Sequence, residues 1–214
     1  MQDEEADYSG MTLHIHPDLL RSYSLNSGIR QYGFFSYSAA EALYLSEKEK
    51  ITILSIYRFI QDELSERIDK FSQDVIISQI EVLLNYANRF YDRQFLTRKA
   101  VNHDLIASLD ELLNNYFINN SGLRTGLPSV QFISQSLQLS PRYLSDMLRS
   151  ITGQTTQQYI QQAIIEKAKE KLSATRLSVS EIAYQLGFEH PQSFSKLFKA
   201  KTNVSPLVFR QSFD

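Results

Sequence analysis

Hydrophobic and polar positions follow three different rhythms along this chain. From Thr12 to His16 they alternate one by one, which predicts a short half-buried strand ended by Pro17. From Ser46 onward the apolar residues recur every three or four positions. Ile53, Tyr57, Ile60 and Leu64 mark one helix, entered through a Ser46/Glu49 capping box. Val75, Ile76, Ile80, Leu83, Leu84, Ala87 and Phe90 mark a second, from about Gln73 to Tyr91. The short Asp69-Lys70 connection predicts an antiparallel hairpin of the two. A third helical pattern runs from Asp104 to Phe117. It stops at Asn119-Asn120-Ser121-Gly122, so residues 119–128 read as a linker between 1–118 and 129–214.

The third rhythm is a repeat. Ser129 to Ile160 and Ser178 to Arg210 carry the same pattern about 50 positions apart. At an offset of 49, Ile133, Ser134, Leu137 and Leu139 fall on Ile182, Ala183, Leu186 and Phe188. One extra residue in the turn then makes the offset 50, and Leu144, Leu148, Thr152, Thr155 and Tyr159 fall on Phe194, Phe198, Thr202, Ser205 and Phe209. Each copy reads as a short helix, a turn and a second helix. In the second copy Ala183 is small where another helix crosses, Gly187 suits a turn residue at positive φ, and Pro191 opens the next helix. The expected fold is therefore mainly α: an N-terminal helical hairpin with a residual strand, then two helix–turn–helix subdomains joined by a linker helix.

Packing Phe194, Leu197 and Phe198 inward leaves Gln192, Ser193, Ser195, Lys196 and Lys199 outside, with no Asp or Glu between Gln192 and Lys201. Amide and ammonium groups on one helix face suit base edges and phosphates in a major groove. A single such face reads equally well as the solvated side of a small three-helix core; the duplication favours DNA. Between the copies, Thr155 to Ala174 is a continuous helical pattern through Tyr159, Ile160, Ile164, Ala168 and Leu172. A helix of this length spans roughly 30 Å, close to the roughly 34 Å of one duplex turn. It can hold two recognition helices over successive major-groove segments.

Charge sharpens this picture. The net charge of −2 divides into +5 over residues 121–214, with 11 basic and 6 acidic side chains, and −7 over residues 1–120. A basic half suits a polyanion, because phosphate neutralisation releases condensed counterions. The chain has no cysteine, which excludes disulfides and thiolate metal sites. No apolar run approaches the roughly 18 to 20 residues of a membrane span, and the acidic MQDEEADYSG start is no secretory signal, so a cytoplasmic protein is expected. His14, His16, His103 and His190 are scattered, and no metal-protease, serine-hydrolase or phosphate-loop motif is present. The strand pair His14/His16 lacks a third ligand, so no metal, cofactor or catalytic residue is assigned.

These motifs bring a resemblance into view. Residues 122–212 resemble the DNA-binding domain of the AraC/XylS family of bacterial transcription regulators. The second repeat carries the family's Glu181-Ile182-Ala183, Gly187-Phe188, Phe198-Lys199 and Ser205-Pro206-x-x-Phe209-Arg210. The first carries Leu139-Ser140-Pro141-x-Tyr143-Leu144-Ser145 and Thr152-Gly153. The resemblance implies base-facing positions Arg142, Ser145 and Asp146 with Arg149 nearer the backbone in the first copy. In the second it implies Pro191, Gln192, Ser195 and Lys196; His190, just before the helix, reads as a cap or a phosphate contact, and Lys199 shares the basic outer face. Two residues depart from the family pattern. Asp146 replaces a basic or amide side chain, and serves either a cytosine amino group or the positioning of Arg142 or Arg149. Asn203 replaces a glycine at a turn whose left-handed conformation asparagine tolerates.

Upstream, His14-Ile15-His16-Pro17-Asp18-Leu19-Leu20, Tyr32-Gly33-Phe34-Phe35 and the two helices resemble the end of the family's effector and dimerisation region. Family members usually begin with a cupin-like β-barrel, which this chain is too short to hold; the resemblance implies that only its last strand is present. It further implies double-stranded operator DNA as partner, RNA polymerase as a second, a small-molecule effector bound by a region largely absent here, and a homodimer through the helices at 47–91. A competing reading is a helical protein-interaction module with a vestigial DNA-binding half.

Overall fold

The computed structural model describes residues 10–213; the acidic stretch 1–9 read above as no secretory signal lies outside them. Among the described residues the regular structure is helical throughout. Chain contacts divide it into two units: residues up to 32 with 46–86, and residues 33–45 with 87–214.

The first unit opens with the expected strand, and here the expectation fails. Residues 12–16 pair with no other strand; the carbonyl of Thr12 instead accepts from the Tyr57 hydroxyl at 2.6 Å. Alternation predicts which faces a strand would show, but a ladder needs a second edge, and none is at hand. Two one-turn helices follow, α1 (Pro17–Leu20) and α2 (Leu25–Gly28), then 3₁₀ turns at Ile29–Gln31, Gly33–Ser36 and Ala39–Glu41. His16 begins α1 as its N-cap, its Nδ1 accepting from the Asp18 amide at 3.3 Å.

Helix α3 (Glu47–Ser65) starts where the capping box places it: Glu49 Oε2 accepts from the Ser46 amide at 2.8 Å, and Ser46 Oγ accepts from the Glu49 amide. Helix α4 (Ser72–Thr97) outruns its expected end at Tyr91 because neither Gly nor Pro interrupts residues 72–97. Side chains tie the N-terminal turns down: Gln73 donates to the Leu19 carbonyl at 3.0 Å, the Tyr32 hydroxyl to Asn85 at 2.9 Å, and the Tyr23 hydroxyl to Asp74. Leu20, Leu25, Tyr32, Ile56, Ile60, Ile76, Ile77, Ile80 and Leu84 are buried.

The second unit takes residues 87–97 of α4, then α5 (Lys99–Ile118), α6 (Gly122–Thr125), α7 (Val130–Ser136), α8 (Pro141–Thr152), α9 (Thr156–Ala174), α10 (Val179–Gln185), α11 (Pro191–Thr202) and α12 (Pro206–Gln211). The segment read as a linker, 119–128, lies inside this unit and carries α6. Its centre is α9, whose Ile160, Ile164, Ala168 and Leu172 recur at every fourth position and are fully buried. Helices α5, α8, α10, α11 and α12 all pack against it. Caps follow the sequence signals: Ser129, Ser140, Thr155, Ser178 and Ser205 each accept from the amide three residues on. Arg210 staples α12 to the chain between α9 and α10, donating to the Leu177 carbonyl at 2.6 Å and to Leu172 at 3.3 Å.

The equivalences drawn from the repeat hold in the packing. Ile133 and Ile182, Ser134 and Ala183, Leu144 and Phe194, and Leu148 and Phe198 are each fully buried pairs. Phe198 packs between the rings of Phe194 (5.8 Å between centroids) and Phe209 (5.5 Å). Phe198→Ala is expected to destabilise the protein by about 3 to 5 kcal/mol. A denaturant midpoint close to that of the parent would contradict this packing.

Candidate nucleic-acid interface

Each repeat presents its second helix in the same way. Helix α8 begins at the Ser140 cap with Pro141 in its first turn and ends at Gly153, φ +75°. It buries Leu144, Met147 and Leu148, which leaves Arg142, Ser145, Asp146 and Arg149 on another face. Helix α11 follows His190, has Pro191 in its first turn and ends at Asn203, φ +64°. Asparagine thus takes the left-handed conformation expected of it. This helix buries Phe194 and Phe198 and turns Gln192, Ser195, Lys196 and Lys199 the other way. Both quartets follow a spacing of three, four and seven, which gathers them on one helical stripe. They superpose at an offset of 50, so the polar faces repeat as strictly as the cores.

The turns are less alike. At the corner of the second repeat Gly187 has φ +98°, and a Cβ there would lie 2.2 Å from the carbonyl oxygen of Gly126. The equivalent position in the first repeat is Gln138, φ +57°. A residue with a Cβ thus occupies the left-handed corner of the first repeat, where the second has glycine.

The two polar stripes also differ in what they touch. Gln192, Lys196, Lys199 and His190 are exposed, and no hydrogen bond or ion pair engages their side chains among the described residues. His190 occupies the N-cap position of α11 without a capping bond from its side chain. On α8 the stripe is occupied. Arg142 Nε pairs with Asp146 Oδ2 at 2.8 Å, and the Tyr37 hydroxyl donates to the same oxygen at 3.0 Å. Of the two roles left open for Asp146, its position thus matches the partnering of Arg142. Gly33 lies so close that a Cβ would fall 2.1 Å from Asp146 Oδ2 and 2.7 Å from Arg142 Nε. At the start of the helix the buried Glu41 accepts from the Ser140 amide at 2.6 Å through Oε1 and from the Ser38 amide at 2.6 Å through Oε2. Near its end the Ser150 hydroxyl donates to Asp92 at 2.5 Å.

Aromatic rings complete this contact. Tyr37 meets Tyr143 and Tyr91 edge-on, each at 5.1 Å, and Tyr143 meets Phe95 at 5.2 Å. Burial, reinforced by the Asp146 carboxylate, pushes the Tyr37 phenol well above its ordinary pKa. Its proton therefore stays in place as a donor across the neutral range. Gly33, Tyr37 and Glu41 were not singled out as site residues from the sequence; the unusual acid at position 146 was the signal that α8 has a protein partner. Arg149 remains exposed and Ser145 half-buried.

A helix–turn–helix domain family model matches residues 133–212, which spans both repeats and α9. The transcriptional activator RhaS of Salmonella paratyphi B is 31% identical over 146 residues, covering 67% of this chain and 47% of that protein. Residues 133–212 thus form an AraC-type helix–turn–helix DNA-binding domain. Histidine kinase P4 of Formosa agariphila is 31% identical over 110 residues, which are 50% of this chain and 8% of that protein. The C-terminal domain of the response regulator YesN from Fusobacterium nucleatum is 34% identical, with a TM-score of 0.39 over 47% of this chain and 95% of that one. The chain thus spans under half the length of the curated relatives it matches. No group of three or more His, Asp or Glu side chains among the described residues is placed to hold a metal ion.

Gln138→Gly is expected to stabilise the protein by roughly 0.5 to 1 kcal/mol, the relief of a left-handed side chain less the added chain entropy. Gly187→Ala should cost about 2 kcal/mol or more, through its conformation and its clash with Gly126. Denaturant midpoints of the two variants moving in the same direction would contradict the assignment of these corners.

Proposed function

We propose that this chain is a sequence-specific transcription regulator of the AraC/XylS family that inserts α8 and α11 into successive major-groove segments of double-stranded DNA. The carrying observation is the paired polar stripe, Arg142, Ser145, Asp146 and Arg149 against Gln192, Ser195, Lys196 and Lys199, held on one packed helix. Helix α9 has 19 residues, about 28 Å at 1.5 Å each, a length compatible with two adjacent groove windows. Lys196 and Lys199 supply cations; Gln192 and Ser195 supply the neutral donors and acceptors that read base edges. His190 and Arg149 suit phosphates. Pro191 offers no hydrogen-bond donor, which puts the reading at α11 on Gln192 and Lys196.

In this reading residues 129–214 grip DNA, 119–128 link, and 1–118 serve assembly and response to a small effector. Ile51, Phe59 and Leu64 on α3 and Val75 and Val82 on α4 are exposed apolar side chains, which supports a homodimer through the helices at 47–91. RNA polymerase is the partner a regulator of this kind addresses. The proposal places the chain in the cytoplasm; no helix among the described residues is long and apolar enough to cross a membrane.

Lys196→Ala tests the assignment. It should weaken binding to a duplex selected from random oligonucleotides and lower the slope of log affinity against log salt by about one. An unchanged affinity and slope for that duplex would remove Lys196 from the interface. Absence of any salt-dependent binding by the parent would favour the interaction-module reading instead. Sedimentation of the full chain should show a dimer at high concentration, and a strict monomer would overturn the assembly proposed here.

A further inference from the structure

We propose that residues 33–41 form an intramolecular latch that occupies the reading face of α8, so that DNA enters the first helix–turn–helix only when this segment leaves. The inference rests on the DNA-facing reading of Arg142, Ser145, Asp146 and Arg149. Three contacts on the first half of α8 carry it. The backbone of Gly33 lies against the Arg142 and Asp146 side chains so closely that a methyl group there would displace either them or the segment. The Tyr37 hydroxyl and Arg142 both engage Asp146 Oδ2. The Glu41 carboxylate holds the amide of Ser140 at the head of α8. A base edge needs the first two places, and a phosphate oxygen suits the third, where the helix start favours negative charge. Glu41 thus stands where a DNA phosphate would stand.

The latch is built to be released. Residues 33–41 include two short 3₁₀ turns with few backbone bonds of their own, held mainly by the side chains of Phe34, Tyr37 and Glu41. Leaving returns a buried carboxylate to water, where its solvation offsets the lost amide bonds. Among the described residues helix α11 has no equivalent cover, so the second repeat can bind first and the first repeat can follow. Affinity for DNA and closure of the latch are then linked, each weakening the other by the same factor.

The test uses the full chain and a mixed-sequence duplex, with Kd measured at several salt concentrations. Gly33→Ala adds a Cβ that wedges the segment from α8 while leaving every α8 residue intact. Tyr37→Phe keeps the ring packing and removes only the hydroxyl. Both should bind more tightly than the parent, Gly33→Ala by about tenfold. In the parent, amide exchange over residues 34–41 should quicken when DNA is added. Equal or weaker binding by both variants, or exchange at 34–41 that DNA leaves unchanged or slows, overturns the latch. The DNA-binding reading fails separately: there the parent shows no salt-dependent affinity, and Lys196→Ala changes nothing.

Discussion

The second unit depends on the burial of one stripe of α9. Ile160, Ile164, Ala168 and Leu172 form a single ridge along the helix, and five other helices bury it from different sides. Each repeat is too small to close a core of its own, so both borrow the same wall. Helical geometry then converts a packing requirement into a measurement. The number of residues in α9 sets both the separation of α8 and α11 and their relative rotation, at about 1.5 Å and 100° per residue. Inserting one residue in α9 would leave either recognition helix folded and turn one of them away from the other's groove. That is why the repeat offset and the core are so strictly matched.

Much of this was legible along the sequence because it is local. Capping serines, Pro141 and Pro191 at helix starts, the left-handed Asn203 and the three-four periodicity each act within a few residues. The core equivalences followed from the repeat, since two copies of one pattern check each other. What escaped was non-local or relational. The alternation of residues 12–16 carries no information about a partner edge, so it predicted a strand that the described residues do not contain. Glu41 and Tyr37 look like ordinary polar residues in a Tyr- and Ser-rich stretch, and their partners lie about a hundred positions away. Only Asp146 betrayed the contact, as an acid where a base or amide was expected.

The two reading faces differ in electrostatic kind. On α8 the positive charge of Arg142 is met inside the chain by Asp146, whose other partner is a phenol that keeps its proton. On α11 Lys196 and Lys199 face solvent with no acid among their stripe neighbours. Long-range attraction to a polyanion therefore falls mainly on α11, and close-range discrimination at α8 has to displace existing partners. Such an arrangement separates arrival from commitment within one domain.

The backbone contact between Gly187 and Gly126 has a consequence for how this domain can evolve. There, two main chains meet with no side chain between them, and Gly122 leaves equally little room against Gly187. A side chain at Gly187 or Gly122 would push its Cβ into neighbouring backbone, so drift there has almost no graded steps to explore. The cover on α8 is the opposite case, a set of side chains whose strength can be adjusted one hydroxyl or methyl at a time. Of the two halves, the second is the sterically fixed one and the first is the half through which a lineage can retune its response.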